Sequence, residues 1–260
     1  TVARFSLLAL LLAPWLRIRR GAMGQILAIA LIGGAAHFAL IFLGIGLAGD
    51  IAPIAIAAQL NVPFATLLSV IFLGEVLGFW RAFAVGAAFA GVMLLGFDPA
   101  VFEFLDALLL VAASAFTQAI GFVLMRRIKG IGVFEMQGWM ALISAVALAA
   151  LTVMVEEEQI ASMIASGWTG ISAVIYNAVA VSLIGHGGMY YLVQRYPVTR
   201  VAPLWLMAPV WGSVGGVLFL GDTLTVTMVV GGIVTLAGVW AIAMSQDRAA
   251  TETEVGSETV

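Results

Sequence analysis

The sequence predicts an all-α, polytopic membrane helix bundle with nine spans present and a tenth expected in front, arranged as two inverted five-helix repeats. Three observations carry this. Of the 260 residues, 63% are hydrophobic and only 10% charged, whereas soluble domains are about a quarter charged. The apolar residues fall into long runs without the 3.6-residue stripe of a surface helix. The charged residues lie between those runs and alternate in sign along the chain.

A helix needs about 20 apolar residues to cross the hydrocarbon core. Segments near 1–16, 23–47, 52–73, 79–97, 105–125, 134–155, 170–193, 201–220 and 223–244 meet or approach that length. The first, with Arg4 near its start, lacks the basic flank and small-residue cleavage site of a signal peptide. It reads as most of a spanning helix whose beginning lies before residue 1. Turn residues separate later segments, as at Gly49-Asp50, Asp98-Pro99 and Gly221-Asp222.

Basic residues fill every second connection: Arg17, Arg19 and Arg20; Arg81; Arg126, Arg127 and Lys129; Arg195 and Arg200; Arg248. The intervening connections hold Asp50; Asp98, Glu103 and Asp106; Glu156, Glu157 and Glu158; and Asp222, without a lysine or arginine. The positive-inside rule places the basic set in the cytoplasm of an inner (plasma) membrane protein, with a cytoplasmic C-terminus. Residues 245–260 are polar and acidic and read as a disordered cytoplasmic tail.

Composition also excludes. The absence of cysteine removes disulfides, thiolate metal sites and cysteine nucleophiles. The two histidines, His37 and His186, are too few for a histidine cage, so no metal site and no cofactor is expected. No basic stripe suits nucleic acid. No HExxH, aspartate pair or serine–histidine motif lies at membrane depth, so an enzyme is not expected.

Phe72-Leu73-Gly74-Glu75 recurs as Phe219-Leu220-Gly221-Asp222, and Gly91-Val92 as Gly238-Val239, at one offset. Pro63 has a counterpart in Pro209, one residue out of step. The first motif falls in a basic connection and the second in an acidic one, so the two copies are oppositely oriented. Residues 1–100 form the first repeat, lacking its first helix, and 101–244 the second. Inverted repeats with a midplane site between them are the design of secondary transporters.

On these motifs the chain resembles the EamA-type branch of the drug/metabolite transporter superfamily. The run Arg195-Tyr196 and Arg200-Val201-Ala202-Pro203-Leu204 is similar to bacterial O-acetylserine/cysteine exporters. The resemblance implies ten helices, both termini cytoplasmic, and a central cavity of alternating access. Asp222 stands where the family usually has glutamate.

Polar side chains inside spans are costly in lipid and mark candidate sites. Ser182, His186 and Tyr190 share one face of a helix. Gln59, Pro63 and Thr66 share another, and Ser114, Thr117 and Gln118 a third. The candidate substrate contacts are His37, Gln59, Gln118, Ser182, His186, Tyr190 and Trp205, with Trp211 a second candidate for the cavity wall. Pro63 and Pro209 are candidate gating bends, and Glu75 and Asp222 caps on the helices that follow them. Gly212-x-x-x-Gly216, and Gly185 with Gly187 and Gly188, are expected to pack helices closely. The function expected is secondary export of small polar metabolites, amino acids or related compounds. A channel-like facilitator and a non-transporting assembly subunit are the alternatives. The partners are a small-molecule substrate and the lipid bilayer, with protons a candidate coupling ion through a histidine; the oligomeric state is left open, a monomer being one option.

Overall fold

The run Leu73-Gly74-Glu75 shows how the chain makes a spanning helix and stops it. Gly74 adopts a left-handed conformation (φ 65°), and its N–H and that of Glu75 both turn back to the Ser69 carbonyl. A helix commonly ends on such a glycine, which carries no Cβ penalty there.

The computed structural model describes residues 1–48, 57–96, 105–155, 166–215, 218, 226 and 229–241. Among them every regular element is helical. Helix α1 is Val2–Leu12, closed by a 3-10 turn at Ala13–Trp15. Helix α2 is Met23–Leu47, α3 is Ala58–Leu73 and α4 is Phe79–Gly96. Then come α5, Leu105–Arg127, α6, Val133–Val155, and α7, Gly167–Arg195. Helix α8 spans 198–215 and α9 is Val229–Ala241. Helices α2, α5, α6 and α7 are long and apolar enough to cross a bilayer on their own, and α1, α3, α4 and α9 are shorter apolar helices within the described residues. The chain is a multi-pass membrane protein. Its large apolar side chains are exposed around the bundle, among them Leu10, Leu31, Leu67, Ile71, Phe83, Leu109 and Ile184. Trp15, Trp80 and Trp168 are exposed near helix ends, as interface anchors require.

Small residues bring the inner helices together. Helix α5 packs against α2 and α3. A Cβ on Gly33 would lie 2.8 Å from the Gly121 Cα, so α2 and α5 cross backbone to backbone. Helix α1 lies on α6. Helices α4 and α9 meet in a two-way contact. Gly91 of α4 faces Gly231 and Thr235 of α9, while Gly238 of α9 faces Ala84 and Ala88 of α4. Each member of one set has its counterpart in the other at a separation of 147. The glycines expected to pack closely do so unevenly: Gly187 abuts Gln137, while Gly188 and Gly212 have open space around them and residue 216 lies outside the described set.

Two departures from regular α geometry recur. Helix α2 opens into π turns over Ala30–Ala36, just before His37. Helix α7 does so over Asn177–His186, ending on its histidine. Pro63 and Pro209 are each the third residue of an α segment that follows a 3-10 stretch, Ala58–Leu60 and Ala202–Leu206 respectively. Proline lacks the N–H for an i to i−4 bond. The expected bends are therefore tightened turns on the N-terminal side of each proline.

The basic connections gather at one end. Arg19 holds Glu135 through Nε and Nη2 at 2.8 and 3.0 Å, and the bond and charge of that carboxylate hold the guanidinium above its ordinary pKa. Trp139 Nε1 donates to the Arg17 carbonyl at 3.2 Å. Arg126 donates to the Gln194 carbonyl at 2.7 Å, and Arg127 to the Phe72 carbonyl. These arginines satisfy the last carbonyls of α7 and α3.

Candidate functional site

Midway along the bundle, α2, α3 and α5 share a buried polar chain. Ser114 and Gln118 stand four residues apart on one face of α5. The His37 ring fits between them. Gln118 Nε2 donates to His37 Nε2 at 3.1 Å, because its Oε1 already accepts from Asn61 Nδ2 at 2.6 Å. The ring proton therefore sits on Nδ1, which donates to the Ser114 carbonyl at 3.1 Å. The Ser114 hydroxyl donates to the His37 carbonyl at 2.9 Å. His37 and Gln118, both expected at the site, are thus joined. Asn61 is the α3 side chain that reaches them. Gln59 lies two residues earlier, half-buried in the 3-10 stretch.

A second cluster is aromatic. His186 stacks on Tyr190 with ring centroids 6.2 Å apart and 19° between planes. Trp205 of α8 lies 5.7 Å from the same ring, and Phe38 of α2 lies 6.1 Å away. Phe122 of α5 stacks against Trp205 at 6.5 Å. Trp211, the other candidate wall, is 60% exposed and takes no part. Ser182, His186 and Tyr190 do share a face, with Gln137 beside them, around a space of about 10 Å³, enough for roughly one water. The Ser182 hydroxyl donates to the Asn177 carbonyl at 2.8 Å, while Gln137 donates to the Ser182 carbonyl.

His186 and Trp205 also border a cleft of about 410 Å³ between α7 and α8, with Gly185, Gly188, Met189 and Ala208 on its walls. Missing side chains at the glycines give it width. Among the described residues His186 makes ring contacts, and Trp205 Nε1 is buried without an acceptor. The His186 ring and the Trp205 indole thus edge a cleft whose other described walls are apolar side chains and glycines, the usual make-up of a small-molecule site.

The structure corrects the expectation for Glu75. Its carboxylate accepts from the N–H groups of Val198 and Thr199 at 2.7 and 2.8 Å. It caps α8, 123 residues away, and not the helix that follows it. Asp222 lies outside the described residues. Sequence reasoning missed Arg4 as a buried group, Glu135 as an ion-pair partner, and Asn61. For Asn61 the signal was present: an amide inside an apolar helix needs a partner.

Residues 105–244 match the EamA-like transporter family. A protein of Salmonella typhimurium named "Probable amino-acid metabolite efflux pump" is 30% identical over 138 residues, covering 51% of this chain and 46% of its own length. The Escherichia coli K12 protein of the same name is 28% identical over 215 residues, covering 79% of this chain and 71% of its own. The chain therefore spans about half of the first relative and more of the second. A solved structure described as "Crystal structure of protein" superposes with a TM-score of 0.77 over 96% of this chain and 87% of that one. At 19% identity that likeness is one of fold.

Proposed function

Because the chain belongs to the EamA-like transporter family, we propose that it is a secondary transporter of the inner membrane that exports small polar metabolites, amino acids or their close relatives. The observation that carries this reading is the cleft beside His186 and Trp205, between α7 and α8, with no charged side chain among the described residues that line it. Such a lining suits a zwitterion or small polar molecule better than a strongly charged ion. The names borne by the Salmonella and Escherichia relatives agree with it.

Alternating access between two inverted halves is supported by features that come in pairs. The π turns before His37 and ending on His186 pair, as do the turns before Pro63 and Pro209, and the α4–α9 contact reads the same in both directions. Reciprocal contact of this kind is what a two-fold relation produces. Wide turns at functional positions are common. We take His37, Gln59, Gln118, Ser182, His186, Tyr190 and Trp205 as the surroundings of the substrate path, with His186 and Trp205 in contact.

The test is uptake of a panel of labelled amino acids into inverted vesicles from cells making the full-length protein. Accumulation above that of vesicles lacking the protein supports export, and no accumulation across the panel sinks it. Counterflow separates carrier from facilitator: unlabelled substrate on the far side accelerates entry through a carrier and leaves a pore unaffected.

A further inference from the structure

Helices α3 and α5 leave a groove along their seam, with a volume of about 330 Å³. Leu68 and Phe72 of α3 and Phe116, Ile120 and Leu124 of α5 form its walls, and Arg127 stands at one end. These two helices supply every described residue that lines it. On α5 the lining recurs at intervals of three or four residues, so it occupies one helical face. Phe64 meets Phe116, and Phe72 meets Arg127, so the two helices run in the same direction. Phe72 is 54% exposed and Phe116 42%, so the groove opens on the outside of the bundle.

Depth and charge select the occupant. Phe116 is the middle residue of α5 and Arg127 its last. On a helix that separation is a rise of about 16 Å, about half the hydrocarbon core and so the depth of one leaflet. At the deep end the seam is bridged, where Phe64 meets Phe116 edge to face with ring centroids 5.4 Å apart. A spanning helix of another protein would need a seat of full depth, whereas an acyl chain needs only half. Arg127 is the one charged group among the described residues of the lining. Its Nη2 donates to the Phe72 carbonyl, which fixes the guanidinium at the mouth of the groove, and the residue is nonetheless exposed. Arg126 and Lys129 belong to the same connection. The positive-inside rule assigns that end to the cytoplasmic leaflet, whose anionic lipids attract basic groups at the membrane surface.

We propose that the groove between α3 and α5 is a binding site for one anionic phospholipid of the cytoplasmic leaflet. An acyl chain lies along Phe72, Leu68 and Ile120 toward Phe116, and Arg127 holds the phosphate. Guanidinium groups form strong charge-assisted hydrogen bonds to phosphate oxygens, so the headgroup is selected by charge while the chain is held by apolar contact alone. The site does not depend on what the protein exports.

The test uses the purified full-length protein in a neutral detergent and follows its melting temperature as lipid is added. Phosphatidylglycerol is titrated beside phosphatidylcholine with the same chains, and beside inorganic phosphate. Phosphatidylglycerol should reach half its effect on the wild type at about fivefold lower concentration than phosphatidylcholine, and inorganic phosphate should have no effect. Arg127→Gln should abolish the preference for the anionic headgroup. Lys129→Gln removes a charge from the same connection but not from the groove, and should keep the preference. Ile120→Trp fills the groove while leaving Arg127 in place, and should weaken both lipids. Preference retained in Arg127→Gln would overturn the assignment. So would equal loss in Lys129→Gln, which would show a general attraction of the basic end. A response to inorganic phosphate equal to that of phosphatidylglycerol would overturn it as a lipid site. Should Arg127→Gln fail to fold, equal half-saturation by the two lipids in the wild type, or an unchanged phosphatidylglycerol response in Ile120→Trp, would sink the proposal.

Discussion

His37 and His186 each stand at the end of a π-turn stretch, yet their surroundings ask different things of them. Both ring nitrogens of His37 are engaged, one by Ser114 and one by Gln118. Replacing it with phenylalanine strands buried partners, at a cost of about 1–3 kcal/mol for each group left unsatisfied. We expect His37→Phe to lower the melting temperature and folded yield in detergent. For His186 the contacts seen among the described residues are with rings. His186→Ala should leave folded yield near normal and weaken substrate affinity by about 1–3 kcal/mol, read as a raised half-saturation concentration in transport normalised to folded protein. Normal affinity would remove His186 from the site. The glycine crossing gives a stability test. Gly33→Ala or Gly121→Ala would force backbones apart, costing about 1–3 kcal/mol, whereas Gly46→Ala, with open space around it, should be neutral or gain up to about 1 kcal/mol from helix propensity. Thermal melts of the three variants decide it. At this scale the sequence disclosed some of the polar groups that are buried, His37, Ser114 and Ser182 among them, because each is expensive in lipid, but it passed over Asn61 and Gln137. It could not disclose that Arg4 is covered, since Phe5 lies beside it in sequence but Phe38 comes from another helix.

Elements were legible where composition defines them. The long apolar runs became α2, α5, α6 and α7 with ends within a few residues of those expected. The π and 3-10 stretches were not legible, because Ala30–Ala36 and Asn177–His186 contain nothing that an α-helix would refuse. The repeated Phe-Leu-Gly-acid motif was seen as a helix end, but its reach was not. Gly74 stops α3, and Glu75 then caps α8 across the bundle. Glu75→Ala removes both acceptors and should cost about 0.5–2 kcal/mol. Glu75→Gln keeps one and should cost less. The same order is expected in unfolding midpoints, and equal effects would show that charge, not acceptor number, matters.

Across the whole molecule, the alternation of charge along the chain has a spatial counterpart. The connections after α1, α3, α5 and α7 are tied to one another through Arg17, Arg19, Glu75, Arg126 and Arg127. Ten of the eleven basic residues lie in that set of connections or in the tail. Cysteines introduced at Gly21 and Ser257 should resist an impermeant thiol reagent in intact cells, and one at Glu157 should react. The reverse would invert the protein in its membrane. That several helices cross the membrane was readable from the long apolar runs. How the helices pack was not, because lipid-facing and core-facing residues are both apolar.

The contact between α4 and α9 has a further consequence, for heredity. Where two identical subunits meet about a two-fold axis, one codon change strikes the interface twice, and a residue that suits only one side cannot be kept. Here both sides are written in a single gene, and they differ. Thr235 gives its hydroxyl to the Gly231 carbonyl at 2.8 Å, while its counterpart Ala88 has none to give. Ala84 likewise stands where the other half has Gly231. Either side of the contact can drift while the other holds the fit, so one substitution changes it on one side only.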